Sequence, residues 1–174
     1  DNGRIAAIGA GLQAPSGAVV EDGGGAIAVP GLVEAHSHLD KSLIGLPWYR
    51  NEVGPRLIDK IDNERLNKRR LNMDPYVQSF RQTVQSSGYG TTHIRTHIDV
   101  DTDHGLWGIE GVMKMREECR DIMDVEIVAF PQSGLLRRPG TLELMDSTMK
   151  AGAEVVGGLD PCAIDRDPKG HLDA

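Results

Sequence analysis

His36 and His38 stand one residue apart at the end of the apolar run in VPGLVEAHSHLDKS, residues 29–42. On a strand, side chains two residues apart project from one face, so the two imidazoles can converge on a single ion. Neutral imidazole suits Zn²⁺, Fe²⁺ and related metals, and a strand-borne pair has little backbone freedom left to lose. Asp40 continues the same parity. Taken in isolation, the pair also fits two hydrogen-bonded histidines where a strand meets a polar loop. In THIRTHIDV, residues 92–100, Ile94, Thr96 and Ile98 share one side, while His93, Arg95, His97 and Asp99 share the other. Four polar residues on an interior face are costly unless they pair or line a site. His97 and Asp99, nearest the strand's C-terminal end, are candidates for the rim of such a site. Arg95 is expected to pair with a buried carboxylate such as Glu34, and His93 to be structural. Gln132 follows AFP at the end of a third apolar run, where a carboxamide offers both a donor and acceptors to a ring amide edge. Asp160, in GGLDP, is either a further carboxylate at the same rim or the cap of the next helix.

These residues need a scaffold with several parallel strands ending together. From residue 31 the pattern alternates strand and helix: LVEAHSH, a long loop and helix, TTHIRTHIDV, a helix carrying Leu106, Ile109, Met113 and Cys119, then DVEIVAFPQ, a helix carrying Leu142, Met145 and Met149, and AEVVGGLDP. Asp74-Pro75 opens the first of these helices as N-cap and first helical residue, with Val77, Phe80 and Val84 on one face. Units of roughly 30–35 residues call for a parallel α/β sheet, either open and doubly wound or a (β/α) barrel. A barrel needs eight such units and about 250 residues; four are present. Before residue 30 the grammar differs: Asn2-Gly3 is a hairpin signal with only one flanking strand, and residues 4–9 and 26–30 are expected as short strands. The expected organisation is therefore residues 1–29 as part of a small β element and residues 30–174 as α/β.

The chain has 174 residues, 39% hydrophobic and 26% charged, with a net charge of −7. A mean hydropathy of −0.32 and a pI near 5.3 argue against a membrane span and against nucleic acid, whose phosphates select basic faces. The basic run Arg65, Lys68, Arg69 and Arg70 is expected as a solvated helix face. Two cysteines give no disulfide framework, and a reducing cytoplasm is the expected compartment. Phosphate-cradling loops and a serine-hydrolase elbow are missing from the sequence, so neither chemistry has local support. The loop LIGLPWYRNEVG places Trp48 either against the core or along a pocket wall.

VPGLVEAHSHLD resembles the first barrel strand of the amidohydrolase superfamily. HLDKS, IRTHIDVD, VEIVAFPQSG and GAEVVGGLDP, in that order and spacing, resemble its cytosine deaminase and N-isopropylammelide isopropylaminohydrolase branch over residues 4–174. The resemblance implies the first half, β1 to β4, of a (β/α)₈ TIM-type barrel, with part of a small β-sandwich before it. It also implies one divalent metal, zinc or iron, and hydrolytic deamination of a cyclic amidine such as cytosine, an aminopyrimidine or an aminotriazine. His36 and His38 match its strand-1 metal ligands and Gln132 its substrate-binding glutamine; His97, Asp99 and Asp160 match motif positions with a supporting role, and Asp40 lies beside them. Lys41-Ser42 and GGLDP lean towards the triazine branch. The remaining ligands and the acid/base glutamate are expected beyond Ala174, so the chain is expected to be inactive alone, completed by a missing C-terminal half or by another copy. Two alternatives accompany this reading: a non-catalytic metal-binding or assembly module, and a ring hydrolase of the dihydropyrimidinase or imidazolonepropionase type.

Overall fold

The computed structural model describes residues 4–50 and 52–174, in two units that divide between Pro30 and Gly31. In the first unit, residues 4–30 contain turns but no strand. Residues 4–9 and 26–30, expected as short strands, join no ladder among the described residues, and a strand exists only within a ladder. The Asn2-Gly3 hairpin signal lies outside the described residues.

The second unit runs β1 (Leu32–Ser37), α1 (Leu57–Arg70), α2 (Pro75–Gly88), β2 (Thr91–Asp99), α3 (Trp107–Glu118), β3 (Asp124–Phe130), α4 (Thr141–Lys150), β4 (Val155–Val156) and α5 (Pro168–Asp173). A 3₁₀ turn, Leu39–Lys41, follows β1, and a π turn, Pro161–Asp165, precedes α5. The four strands form one parallel sheet in the order β1-β2-β3-β4. Parallel neighbours joined in sequence by helices are the repeating unit of a (β/α) barrel, and these four strands with their helices form a partial one. No helix among the described residues is long and apolar enough to cross a membrane.

Strand parity is as the sequence predicts. Ile94 and Ile98 are buried in one cluster with Ile109, Val112 and Met115 of α3, and Thr96 is buried with its Oγ1 accepting from Leu39 N at 3.0 Å, while His93 and Arg95 are exposed. Arg95 pairs with Glu126 on the neighbouring strand and not with Glu34. Cross-strand register puts residues 95 and 126 side by side, whereas Glu34 accepts from the backbone N–H of His36 at 2.9 Å. His93 meets Asp124 at 3.0 Å on the surface.

α2 starts where expected, with the Asp74 carboxylate accepting from Tyr76 N and Val77 N at 2.9 and 3.1 Å. Its buried face is a surprise. Gln78, Ser79 and Thr83 are buried, while Phe80 and Val84 are exposed. Two close contacts account for the inversion: Gln78 donates to the Ser42 and Ile44 carbonyls, and Thr83 Oγ1 donates to the Met115 sulfur at 3.2 Å. Small residues let α2 and α3 meet at backbone range: a Cβ on Gly111 would lie 2.7 Å from Tyr76 N and 2.8 Å from Pro75 Cβ. Gly111→Ala should therefore cost about 1–3 kcal/mol by overpacking, read as a drop in denaturant midpoint with an unchanged slope. A second helix, α1, precedes α2 and carries the basic run, which is divided: Arg65 and Lys68 are buried, while Arg69 and Arg70 are exposed. Trp48 is exposed and covers no core.

Candidate active site

Because all four strands are parallel, their C-terminal ends gather at one edge, the edge on which barrel enzymes build their sites. His36 and His38 arrive from β1 and the residue after it, His97 and Asp99 from β2, and Phe130 from β3. The rings of His36 and His38 have centroids 5.4 Å apart, those of His36 and His97 stack at 4.2 Å, and Phe130 lies 5.8 Å from His38 and 5.5 Å from His97. The sheet thus brings three imidazoles and a phenyl ring together.

The fit to a metal can be tested on these distances. A tetrahedral ion with nitrogen ligands at about 2.0–2.1 Å separates the centroids of two imidazoles by about 5 Å, so the His36–His38 pair fits. His97, stacked nearly parallel on His36 with an interplanar angle of 20°, does not converge with it. Among the described residues no group of three His, Cys, Asp or Glu side chains is placed to hold an ion together. Among the described residues two imidazoles are spaced this way, one short of the usual three protein ligands of a catalytic zinc site.

The surroundings of His38 set its protonation state. Its Nδ1 lies 3.0 Å from the His97 carbonyl oxygen; a carbonyl only accepts, so Nδ1 carries the proton and Nε2 keeps its lone pair. Burial, and secondarily the Lys41 ammonium, lower the His38 pKa to about 4, which keeps the ring neutral at pH 7. The His97 pKa is lowered too, by burial and by the neighbouring His36.

Behind His38 lies a network that sequence reasoning missed. Asp99 is 5% exposed. Lys68 from α1 pairs with Asp99 Oδ2, and Lys41 lies 3.0 Å from Oδ1 and 2.7 Å from Glu64. Asp99 Oδ1 is 3.8 Å from His38 Nδ1. Burial pushes the Asp99 carboxyl up, but Lys68 and Lys41 outweigh it and hold it near 2. Asp40 is buried in the 3₁₀ turn, not aligned with the imidazoles, because its Oδ2 accepts from Asp99 N at 3.2 Å. Burial and the Asp99 charge raise its pKa to about 6. Arg65 reaches Asp103 and Asp101, and His104 sits 3.3 Å from Asp101. The one signal available was the basic run spaced at helical intervals, Arg65, Lys68 and Arg69, facing a strand end rich in aspartates.

Gln132 follows Pro131 just past β3, half-buried, its backbone N–H donating to Phe130 O at 2.8 Å. Asp160 is exposed and caps the π turn, accepting from Cys162 N and Ala163 N at 3.1 and 2.9 Å. Of the two roles open to it in the sequence, the cap is the one formed. His171, in α5, pairs with Asp165 at 2.6 Å.

The site is thus an H-x-H pair at the end of the first strand of a partial parallel barrel. No family profile matches the chain. It is 30% identical over 158 residues to N-isopropylammelide isopropyl amidohydrolase of Pseudomonas sp. (strain ADP), covering 87% of this chain and 39% of that protein. The crystal structure of N-isopropylammelide isopropylaminohydrolase from Burkholderia multivorans ATCC 17616 superposes with a TM-score of 0.87 at 50% identity, over 94% of this chain and 41% of that one. The 5-methylcytosine deaminase of Klebsiella pneumoniae, liganded with 5-fluorocytosine, gives 0.66 at 32% identity, over 84% of this chain and 36% of that one. The chain is thus similar to N-isopropylammelide isopropylaminohydrolases and to 5-methylcytosine deaminase, both members of the amidohydrolase superfamily. It spans about two fifths of the length of these relatives, a coverage that fits the N-terminal half of such a barrel.

Proposed function

We propose that these residues form the strand-1 to strand-4 part of a metal-dependent hydrolase that removes ammonia or an amine from a nitrogen heterocycle, an aminotriazine or aminopyrimidine. The observation that carries this is the His36–His38 pair, with His38 Nδ1 engaged by a carbonyl and Nε2 left as a ligand. His36 and His38 would hold one zinc or iron ion, which when bound lowers the pKa of a water to about 7 and polarises the ring carbon to be attacked. The other tasks fall to the chain's own side chains. His97 fixes the His38 tautomer through its carbonyl and stacks on His36. Phe130 offers an apolar wall to a planar ring, and Gln132 a carboxamide whose donor and acceptor can read a ring N–C=O edge. Kinship with an isopropylaminohydrolase at 50% identity supports the triazine side of this choice over the pyrimidine side. With two ligands in hand, the 174 residues alone are expected to turn over nothing. Residues 1–29 belong, in the same reading, to a small β element built with other strands, and the substrate is a small heterocycle in a cytoplasmic setting, without nucleic acid or membrane.

The test is an amine-release assay on the full-length protein with N-alkylaminotriazines, aminotriazines, cytosine and 5-methylcytosine. Release should disappear on chelation and return with Zn²⁺ or Fe²⁺. Release undiminished in metal-free protein, or none from any of these rings, would contradict the reading.

A further inference from the structure

Four charged side chains from three elements meet behind His38. Lys68 leaves α1, crosses to the end of β2 and pairs with Asp99 Oδ2, its side chain 9% exposed. Lys41, from the 3₁₀ turn, takes Oδ1 at 3.0 Å and is held in turn by Glu64 of α1 at 2.7 Å. With an ammonium on each oxygen, the Asp99 carboxylate has one orientation, and that orientation sets Oδ1 3.8 Å from the His38 nitrogen that carries the proton. Asp99 N is tied separately to Asp40 at 3.2 Å. A latch for α1 alone would need no such arrangement, since buried ion pairs add little stability over apolar residues of the same volume. A carboxylate behind a metal-binding imidazole, by contrast, fixes the ring and raises its basicity.

We propose that Lys68, together with Lys41, is a positioning residue: by holding Asp99 it keeps a carboxylate 3.8 Å from His38 Nδ1, whose charge adds to the bond with the His97 carbonyl that orients the ring. The proposal rests on the reading of His36 and His38 as metal ligands. Without Lys68 the carboxylate is held at one oxygen only and can turn, and His38 keeps only its bond to the His97 carbonyl.

The experiment uses metal-free full-length protein, with zinc affinity measured by competition against a chromophoric chelator and ligand geometry read from the visible spectrum after Co²⁺ loading. Lys68→Met is compared with the double variant Lys68→Met/Asp99→Asn, which leaves no carboxylate at position 99 to be stranded and decides the matter even where the single variant fails to fold. The double variant should regain much of the stability lost in Lys68→Met, yet bind zinc about 10–100-fold more weakly than the parent, with altered cobalt bands. A folded double variant with parental zinc affinity and an unchanged cobalt spectrum would reduce Lys68 to a latch and overturn the proposal. Wild-type protein that takes up no zinc or cobalt overturns the metal reading itself, and the positioning role with it; uptake that is equal in parent and variants overturns the positioning role alone.

Discussion

His38→Ala in the full-length protein should abolish stoichiometric metal uptake and lower kcat/KM for amine release by about 10³-fold or more, the several kcal/mol that a Lewis-acid ion contributes to such a reaction. The fold should survive, because the ring is half-buried at a strand end and the core behind it is built from Ile94, Ile98, Ile109 and Val112. Far-UV circular dichroism and thermal melting of the metal-free forms check that separation. His36→Ala should behave alike, since neither imidazole can hold an ion alone. His97→Ala, by contrast, should keep the metal: the bond that orients His38 comes from the backbone carbonyl at 97, which alanine retains. A His38→Ala protein with full metal content would show that the two rings are not ligands of one ion.

The second large effect is on stability. Lys68→Met should cost about 3–5 kcal/mol, because Asp99 is left buried with one of its two cations gone, and the denaturant midpoint reports it. The pH dependence follows from the same pair. Asp99 in the folded protein titrates near 2 against 3.8 for an unperturbed aspartate. A carboxyl with a lowered folded pKa contributes stability that is complete above its unfolded value and lost as pH falls through the folded one. Wild-type stability should therefore decline between about pH 4 and pH 2, and in Lys68→Met that decline should begin at higher pH. Denaturation curves at pH 7 and pH 3 for both proteins measure the difference.

Much of this was legible in the sequence, and the reasons are specific. β2 gave itself away by strict alternation: Ile94, Thr96 and Ile98 had to face the helices once His93, Arg95, His97 and Asp99 faced elsewhere, and burial follows that division up to Asp99, which is buried by its ion pairs. The H-x-H spacing predicted two imidazoles on one face, and the rings lie 5.4 Å apart. Asp74-Pro75 announced the start of α2 through its own cap geometry. Long-range pairing was not legible. The side chains on α1 look solvated in one dimension because every charge there is soluble by itself; their burial depends on Asp99, Asp101 and Asp103, more than thirty residues away. α2 misled for a related reason. Its apolar residues Phe80 and Val84 suggested the core face, but the space against α3 at Gly111 admits only small or hydrogen-bonded side chains. Asp40 followed strand parity on paper, yet the chain leaves β1 at Ser37 and turns, which carries the carboxylate under Asp99. Residues 4–9 and 26–30 read as short strands, but a strand is a property of a pair.

The central claim is that His36 and His38 are ligands of one catalytic ion. Anomalous diffraction from crystals of the full-length protein, collected on either side of the zinc and iron absorption edges, tests it most directly. The account predicts a single anomalous peak at the C-terminal ends of the strands, within about 2.0–2.3 Å of a ring nitrogen of both His36 and His38, with the His38 contact made by Nε2. A metal-replete crystal whose only anomalous peak lies away from these two rings would contradict it.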